Sequence, residues 1–439
     1  MKNLIFLVFI FLSNLQLFSQ QENNVDSLLN KGTLKDCVEY ALNHQPVIQQ
    51  SLLDEQIIDH EINSKIADWL PQLNFNFNFT HNYKLPVTIF QGNPVSVGLI
   101  NTSGAEFSLT QTIFDRDVFL AASTSKTLSG LMKQKTAFSK IDVVTFVSKA
   151  FYSVLFTQEQ IALLDEDIIR LQQSVKDTYN QYKGGIVDKT DFQRATIAFN
   201  NAQAELKQNQ ELLKDRFAFL KQQMGYPTGA DLNIEFDTTK MENEIFIDTT
   251  QFVVIDNRIE YKLLQSQIQL QQANLSYNDL SFVPSLSAFA NYNFNYQNDY
   301  FAKLYKLNYP NSDIGLQLSF PIFQGGKRIQ EIEQASLELK RYNYDLISLR
   351  DSINTEYISA LGEYKSSLNN YNLLKQNLKL AKDVYNTIQL QYKSGIKTYL
   401  EVITAENDLR TTQANYNNAL FQLLSSKLDL QRALGTIQY

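Results

Sequence analysis

The sequence has long stretches that lack the residues which end helices. No proline occurs between Pro94 and Pro227 or after Pro321, and glycine is sparse in the same stretches. Proline and glycine disfavour a helix interior, so their absence removes the usual reasons for a helix to stop. The ranges Asp117–Tyr182 and Lys327–Tyr392 therefore each predict one α-helix of about 66 residues, or about 100 Å. Helices of this length are far beyond those of ordinary globular domains.

The residues that build most enzyme and metal sites are also scarce. The single cysteine, Cys37, excludes a disulfide framework and is interpreted as a small buried helix residue. The three histidines have no metal-ligand spacing, and four methionines with one cysteine offer no soft-metal pathway. The pair Gly184-Gly185 lacks the strand and helix context of a phosphate loop. The sequence thus predicts no enzyme activity, no metal site and no cofactor.

Charge and hydropathy narrow the class further. The net charge of −7 argues against nucleic-acid binding. An apolar run, Leu4–Leu12, lies between Lys2 and the small residue Ser19, which predicts a secretory signal peptide over residues 1–20. That run is too short to span a bilayer, and no later segment has about 18 uninterrupted apolar residues, so no transmembrane helix is expected. Aromatic residues still make up 12% of the chain, so a second kind of structure must use them.

What the sequence does contain is a long repeat. The segment Gln181–Ile186 returns as Gln391–Ile396, 210 residues later, and Trp69–Leu73 returns as Phe282–Leu286, 213 residues later. A period this long indicates a duplicated structural unit rather than a solenoid. The predicted organisation is a first unit over 21–227, an equatorial connector over 228–251 and a second unit over 252–439.

Each unit is predicted as a helix, a strand pair, a very long helix and a further helix. The shorter helices are predicted at Leu34–Trp69, Asp188–Met224, Phe252–Phe282 and Thr398–Leu434. Apolar and aromatic residues in the long helices recur at intervals of three and four, which alternate in the second unit with one extra step of three, and this spacing is the seam of a coiled coil. In the second unit the seam comprises Tyr357, Leu361, Tyr364, Leu368, Tyr371, Leu374, Leu378, Ala381, Tyr385, Ile388 and Tyr392. Helix packing accounts for this seam without any cofactor.

Two segments alternate strictly between apolar and polar residues. These are Leu73–Thr80 and Leu286–Tyr296, with partner strands predicted at Phe107–Thr110 and Ile314–Phe320. A period of two places the apolar side chains on one face and neutral polar side chains on the other. The two longer segments approach the 9–11 residues that cross a bilayer as a tilted strand. The alternative is a water-soluble sandwich with a Phe-rich core, which four strands are too few to build.

Four strands in lipid cannot stand alone, because a sheet in hydrocarbon must have no free edges. The smallest barrels have eight strands, so several copies of the chain must share one barrel. A dimer would give eight strands and a trimer 12, which leaves room for a polar lumen. The predicted fold class is an α+β membrane protein with four transmembrane strands and long coiled-coil helices per chain. The residues predicted to line the lumen are Asn74, Asn76, Asn78, Asn291, Asn293 and Asn295.

Five motifs, in order along residues 34–435, resemble the TolC family of outer-membrane efflux proteins. They are Leu34-x-x-Cys37-Val-x-x-Ala41, the strand-entry prolines Pro71 and Pro284, Ser319-Phe-Pro321-Ile-Phe-Gln-Gly-Gly-Lys327, Tyr392-x-x-Gly395-x-x-Thr398-x-x-Glu401, and Leu430-x-x-Ala433-Leu-Gly435. The resemblance implies a homotrimer in the outer membrane, with a 12-stranded barrel on a 12-helix periplasmic tunnel. It also implies two partners, a periplasmic adaptor protein and an inner-membrane RND or ABC transporter.

The resemblance also implies roles for the helix turns. The adaptor would meet the turns at Gly184, Gly185, Ser394 and Gly395. A periplasmic gate would form where Tyr392 and Lys397 bridge Thr190 and Asp191 of a neighbouring hairpin. Glu401 matches one ring of acidic residues at the constriction, whereas Thr404 departs from the second acidic ring of the family. Cation preference should therefore be weaker than with two rings.

Three alternatives stay open. Thr398-x-x-Glu401 is a capping box and Asp188-x-x-Asp191 resembles one, so these residues could cap helices with or without a gate. A non-conducting coiled-coil tether of the outer membrane would explain the seam but not the alternating strands. Small-molecule efflux and type I protein secretion are not separated by the sequence, because the inner-membrane component selects the cargo.

Overall fold

A computed structural model of the chain describes residues 32–234 and 245–439. The predicted signal peptide lies outside these residues, as does the middle of the predicted connector. The described chain folds into long helices at one end and an antiparallel sheet at the other. Both repeats run through a short helical segment, strands, a long helix and a further helix, and the first repeat adds a second short helix and two short strands.

The helices include two of exceptional length. They are α1 (Leu34–His44), α2 (Pro46–Ala67), α3 (Arg116–Lys183), α4 (Lys189–Met224), α5 (Ile259–Asp279), α6 (Lys327–Lys393) and α7 (Tyr399–Leu434). The predicted long helices are confirmed as α3, with 68 residues, and α6, with 67. No described helix combines the length and apolar character needed to cross a membrane.

Two predicted helices are wrong in detail. The helix predicted over Leu34–Trp69 is broken at Gln45, whose extended backbone is the conformation that the following Pro46 favours. The helix predicted over Phe252–Phe282 shortens to α5, flanked by 3₁₀ turns at Ile255–Asn257 and Leu280–Phe282. The first difference lies inside the predicted helix, at the proline, and the second lies at both ends of the predicted helix.

The long helices pair as the seam predicts, with α3 against α4 and α6 against α7. All eleven predicted seam residues of α6 lie in hydrophobic clusters, and Tyr364, Tyr371 and Tyr385 are buried outright. The Tyr364 hydroxyl also donates to the carbonyl of Ile245, a residue of the predicted connector, at 3.0 Å. The seam therefore holds each helical hairpin together and anchors one flank of the connector.

Helices α3, α4, α6 and α7 all end in the same backbone turn. A glycine with positive φ follows each helix: Gly185 (70°), Gly225 (68°), Gly395 (75°) and Gly435 (72°). The next residue then donates its N–H to a carbonyl five residues earlier, as Ile186 does to Gln181 at 2.9 Å and Ile396 does to Gln391 at 2.9 Å. This is the Schellman arrangement, which favours glycine because it has no Cβ. The duplication therefore extends to the backbone at each helix end.

The structure describes six strands, not the four predicted. They are β1 (Gln72–His81), β2 (Val87–Phe90), β3 (Asn93–Ser96), β4 (Asn101–Phe114), β5 (Ser285–Asn298) and β6 (Asn311–Ser319). The order β1-β4-β5-β6 makes one antiparallel sheet, and β2–β3 is a separate hairpin. The strands predicted at Phe107–Thr110 and Ile314–Phe320 are corrected to β4 and β6. The β2–β3 hairpin lies in the connection between β1 and β4.

Candidate channel wall and gate

One face of the four-stranded sheet is polar across all its strands. The register aligns one row of Asn76, Glu106, Asn293 and Asn311, and a second row of Asn74, Ser108, Asn291 and Asp313. The six asparagines predicted to line a lumen therefore share this face. Gly104 sits beside Asn78, where a Cβ would overlap the Asn78 amide oxygen. Glycine at this position lets the amide lie across the strand.

The alternating sequence predicted a polar face with neutral side chains only, and this prediction is wrong. The longer bounds of β4 and β6 add Glu106 and Asp313 to it. The Asn291 side-chain amide donates to Asp313 Oδ2 at 3.0 Å, and the Asn295 amide donates to Asn311 Oδ1 at 3.0 Å. The predicted partner strands began at Phe107 and Ile314, so each left out the carboxylate of the residue immediately before it.

The opposite face of the sheet is apolar and exposed in the single chain. The rings of Phe75 and Phe107 pack at a tilt of 45° with centroids 4.9 Å apart, and Phe107 meets Phe294 edge-on at 6.5 Å. At the outer edge strand, Ile314 is 85% exposed and Leu316 is 70% exposed. An apolar surface that crosses a whole sheet is a contact surface for lipid or protein.

The second helical turn, between α6 and α7, carries a network around Glu401. Its carboxylate accepts hydrogen bonds from the Thr398 backbone N–H at 2.9 Å and from the Thr398 hydroxyl at 3.1 Å. Lys397 Nζ donates to the other carboxylate oxygen at 2.5 Å. The bond from Lys397, followed by the backbone bond from Thr398, lowers the pKa of Glu401 to about 2. The predicted capping box is therefore present, and the acid is paired with a lysine.

The predicted gate residues are only partly brought together within one chain. The Tyr392 hydroxyl donates to Gln181 Oε1 of the first turn at 2.7 Å. Burial raises the pKa of Tyr392, and the negative charge of Asp191 raises it further. Thr190 and Asp191 lie in the first turn of α4. The predicted bridges of Tyr392 and Lys397 to Thr190 and Asp191 concern a neighbouring copy, and they stay a prediction.

The first helical turn, between α3 and α4, differs from the second in its side chains. Asp188 precedes α4 with extended backbone but makes no side-chain capping bond, so the capping box anticipated with Asp191 does not form. Ile186 is 76% exposed here, and Ile396 is 71% exposed at the second turn. The turn residues predicted to meet an adaptor, Gly184, Gly185, Ser394 and Gly395, therefore sit beside accessible apolar side chains.

Behind the turns, α3 and α7 enclose a buried polar cluster. The Tyr399 and Ser174 hydroxyls are 2.6 Å apart, and burial raises the pKa of Tyr399 to about 12. Burial also raises the pKa of Glu406, although Arg170 Nε lies 3.9 Å from its carboxylate. These groups join the two helical hairpins within one chain.

The contact between Tyr392 and Gln181 was not predicted from the sequence. The repeat aligns Gln181 with Gln391, so it indicates equivalent backbone positions but not which side chains face each other. Only the packing of α3 against the second hairpin brings these two residues into contact. Glu106 and Asp313 were missed for the separate reason of strand length.

The same architecture occurs in a known family. The outer membrane efflux protein family matches the chain over residues 37–226 and 254–436, which cover both repeats. The chain belongs to the outer membrane efflux protein family. This membership confirms the family resemblance and the predicted location in the outer membrane. It places the chain among efflux channels, which are transport proteins and not enzymes.

Relatives and solved structures agree over most of the chain. Outer membrane protein TolC of Salmonella enteritidis is 23% identical over 435 residues, covering 97% of this chain and 84% of that protein. The alkaline protease secretion protein AprF of Pseudomonas aeruginosa is 19% identical, covering 92% and 84%. The open state of the Neisseria gonorrhoeae MtrE outer membrane channel matches with a TM-score of 0.74 at 17% identity, covering 92% and 88%. Efflux channel members of the family thus share this combination of helices and sheet.

Proposed function

We propose that this protein is the outer-membrane exit duct of a tripartite efflux or type I secretion system. The observation that carries the proposal is a two-faced sheet with open edges, joined to helices about 100 Å long. In the proposed assembly, three chains form a 12-stranded barrel above a 12-helix periplasmic tunnel. Substrate would pass from an inner-membrane pump through the tunnel to the exterior.

The sheet supports a barrel shared between copies. Strands β1 and β6 are its edges, and each leaves one side without a strand partner in the described chain. Unpaired backbone groups are too costly to leave in hydrocarbon, so β1 of one copy would pair with β6 of the next. The four strands have 9 to 14 residues, enough to cross a bilayer at a tilt. The apolar face would then meet lipid and the polar face would line the lumen.

The helices support a periplasmic tunnel that partners can reach. We propose that a periplasmic adaptor contacts the turns at Gly184, Gly185, Ser394 and Gly395, and that it links the duct to an RND or ABC transporter. The exposed Ile186 and Ile396 provide apolar area at both turns. Both candidate systems remain in the proposal, because the matching family is named for efflux and AprF is named as a secretion protein for alkaline protease.

Conductance in planar lipid bilayers tests the channel directly. The purified full-length trimer should produce discrete current steps, and its mass in detergent should equal three chains. A non-conducting coiled-coil tether would give a stable oligomer without current steps. That result, obtained with correctly folded protein in both bilayer orientations, would overturn the proposed function.

Cross-linking tests the adaptor contact. Cysteine should be introduced at Gly184 and Ser394, whose φ values of −79° and −88° accept any side chain. Gly185 and Gly395 should be left intact because their positive φ favours glycine. The adaptor should cross-link to both turns in cells, and cysteine at the distant exposed residue Leu337 should give no product. Cross-linking from Leu337 alone would place the adaptor elsewhere.

We also propose that the turns form a gate between copies. Tyr392 and Lys397 would contact Thr190 and Asp191 of the next hairpin, and Glu401 would lie at the constriction. Tyr392→Phe combined with Lys397→Ala should raise single-channel conductance. Tyr182→Phe is the matched control, because Tyr182 occupies the equivalent position in the first turn. Equal conductance in the wild type, the double variant and the control would contradict the gate and leave helix capping as the role of these residues.

A further inference from the structure

The only formal charges on the four strands of the sheet are two carboxylates on its polar face. We propose that Glu106 and Asp313 set the ion preference of the channel, in place of Glu401 at the helix turn. This inference rests on the proposed channel function, since it assigns charge selectivity to one part of the same duct. It identifies the sheet, rather than the periplasmic constriction, as the part that discriminates small ions by charge.

The charge pattern of the sheet is one-sided. Among all residues of β1, β4, β5 and β6, only Glu106 and Asp313 carry a formal charge at neutral pH, and none of the four strands contains lysine or arginine. Asparagine, serine, threonine and glutamine supply most of the remaining polar face. A neutral wall with no basic residue has nothing to cancel the field of the two carboxylates.

The two carboxylates lie close together on that wall. Glu106 is in the row that contains Asn293, and Asp313 is in the adjacent row that contains Asn291. Adjacent rows on one face are two residues apart, which is about 7 Å along a strand. In a trimer the six carboxylates would form two neighbouring rings in the lumen. Rings of acidic side chains are a known way to favour cations in a pore.

Neither carboxylate is neutralised by its surroundings. Asp313 accepts one hydrogen bond from the Asn291 amide at 3.0 Å, which orients the carboxylate without removing its charge. Glu106 has a neutral neighbour on each adjoining strand, Asn76 and Asn293. In the parts of the chain that the structure describes, no ion pair involves Glu106 or Asp313.

Glu401 is in the opposite situation. Lys397 Nζ lies 2.5 Å from its carboxylate, so the pair carries no net charge. Two further hydrogen bonds from Thr398 hold the same carboxylate at the start of α7. A carboxylate engaged as a helix cap and paired with a lysine contributes little long-range field to a pore. Glu401, the acid indicated by the family resemblance, is therefore a weaker candidate for setting the ion preference than Glu106 and Asp313.

The test is the reversal potential of single channels in a potassium chloride gradient. The proteins compared are the wild type, Glu106→Gln, Asp313→Asn, the double variant and Glu401→Gln. Glu211→Gln is the matched control, because it removes one carboxylate per chain from an exposed helix surface. Trimer mass and circular dichroism should establish that each variant is folded.

The wild type should prefer potassium over chloride, and the double variant should lower the permeability ratio by about threefold or more. Each single variant should have an intermediate effect, and Glu401→Gln and Glu211→Gln should change the ratio little. Unchanged selectivity in the double variant would overturn this inference, as would a larger change in Glu401→Gln. Absence of any channel in the wild type would instead overturn the proposed function.

Chemical restoration of the charge gives a second measurement. The Glu106→Cys variant should be modified with a negatively charged or a positively charged methanethiosulfonate reagent. The native Cys37 is fully buried, so the introduced thiol is the accessible one. The negative reagent should restore cation preference and the positive reagent should reverse it. Equal effects of both reagents on selectivity would overturn the inference, because they would show steric blockage rather than charge.

Discussion

The two helical hairpins end in the same backbone turn but carry different side chains. Gly185 and Gly395 have φ of 70° and 75°, and the same Schellman hydrogen bonds follow. Only the second hairpin adds the bonds of Glu401 to Thr398 and Lys397, whereas Asp188 of the first caps nothing through its side chain. The duplication has kept the backbone geometry and has let the chemistry of the two turns diverge.

The opposite ends of the same hairpins show a second divergence. In the first repeat, Gln45 Nε2 donates to the Gln222 and Gln223 carbonyls at the end of α4, at 3.2 and 2.9 Å. In the second repeat the equivalent residue is Arg258, which donates to the Ala433 carbonyl at 2.7 Å. The guanidinium also binds Glu260 and Glu356. We call each of these side chains, which bind the carbonyls at the end of a helix, a clamp. The clamp of the first repeat, Gln45, is neutral, whereas that of the second repeat, Arg258, is charged and buried.

The largest expected effect is the loss of the charged clamp. Arg258→Ala should lower the free energy of unfolding by about 3 kcal/mol, because it leaves two carboxylates and a helix-end carbonyl without their donor. Gln45→Ala should cost about 1 kcal/mol, since only neutral hydrogen bonds are lost. Urea unfolding followed by circular dichroism measures both.

Exchanging the two clamps sharpens this comparison. Arg258→Gln imports the clamp of the first repeat and should recover part of the bond to Ala433, but not the ion pairs. Its stability should therefore lie between those of the wild type and Arg258→Ala. If Arg258→Ala were no more destabilising than Gln45→Ala, the charges would contribute nothing beyond the hydrogen bond to the helix end.

Backbone strain at the turns should be equal in the two hairpins. Gly185→Ala and Gly395→Ala should each cost about 1 kcal/mol, because a Cβ disfavours the left-handed conformation. Gly184→Ala is the control, since its φ of −79° is open to any residue. Thermal unfolding of the detergent-solubilised trimer measures the three variants. Unequal costs at Gly185 and Gly395 would mean that neighbouring copies contact the two turns differently.

Removing the residue before each second helix should affect the two hairpins differently, because only Thr398 takes part in a capping box. Thr398→Ala should cost about 0.7 kcal/mol, because it breaks the capping box of α7. Asp188→Ala should cost about 0.3 kcal/mol, because only its favourable interaction with the helix dipole is lost. Hydrogen exchange of the amides in the first turn of α7 and of α4 reports the two effects locally. Equal loss of protection at both sites would contradict the difference in capping.

The smallest expected effect is a local dependence on pH at the second turn. Because the folded state lowers the pKa of Glu401 from 4.5 to about 2, its carboxylate stabilises the turn fully above pH 4.5. This contribution should be lost as the pH falls towards about 2. Hydrogen exchange at the start of α7, corrected for intrinsic rates, should show the loss in the wild type and not in Glu401→Gln. A similar loss at the start of α4 would refute the assignment to Glu401.

Much of this architecture was predictable from local pattern. The absence of proline and the spacing of Tyr364, Tyr371 and Tyr385 predicted the length and seam of α6, because helix periodicity is a local property. Strict alternation predicted the centres of β1 and β5 for the same reason. The ends of β4 and β6 were not predictable, because Glu106 and Asp313 lie in strands only through pairing with β5. The β2–β3 hairpin was missed because its short strands are bounded by loop-like residues.

In the candidate site, too, some features follow from local sequence and others depend on contacts between distant residues. The sequence by itself determined the duplication, the glycines at the turns and the capping box of Glu401, since each depends on residues close together in the chain. Only the tertiary structure decided that Tyr392 meets Gln181, that Arg258 replaces Gln45 as a helix clamp, and that two carboxylates share the polar face. These contacts join residues that are far apart in sequence. Their partners are selected by helix packing and strand register, which no local pattern encodes.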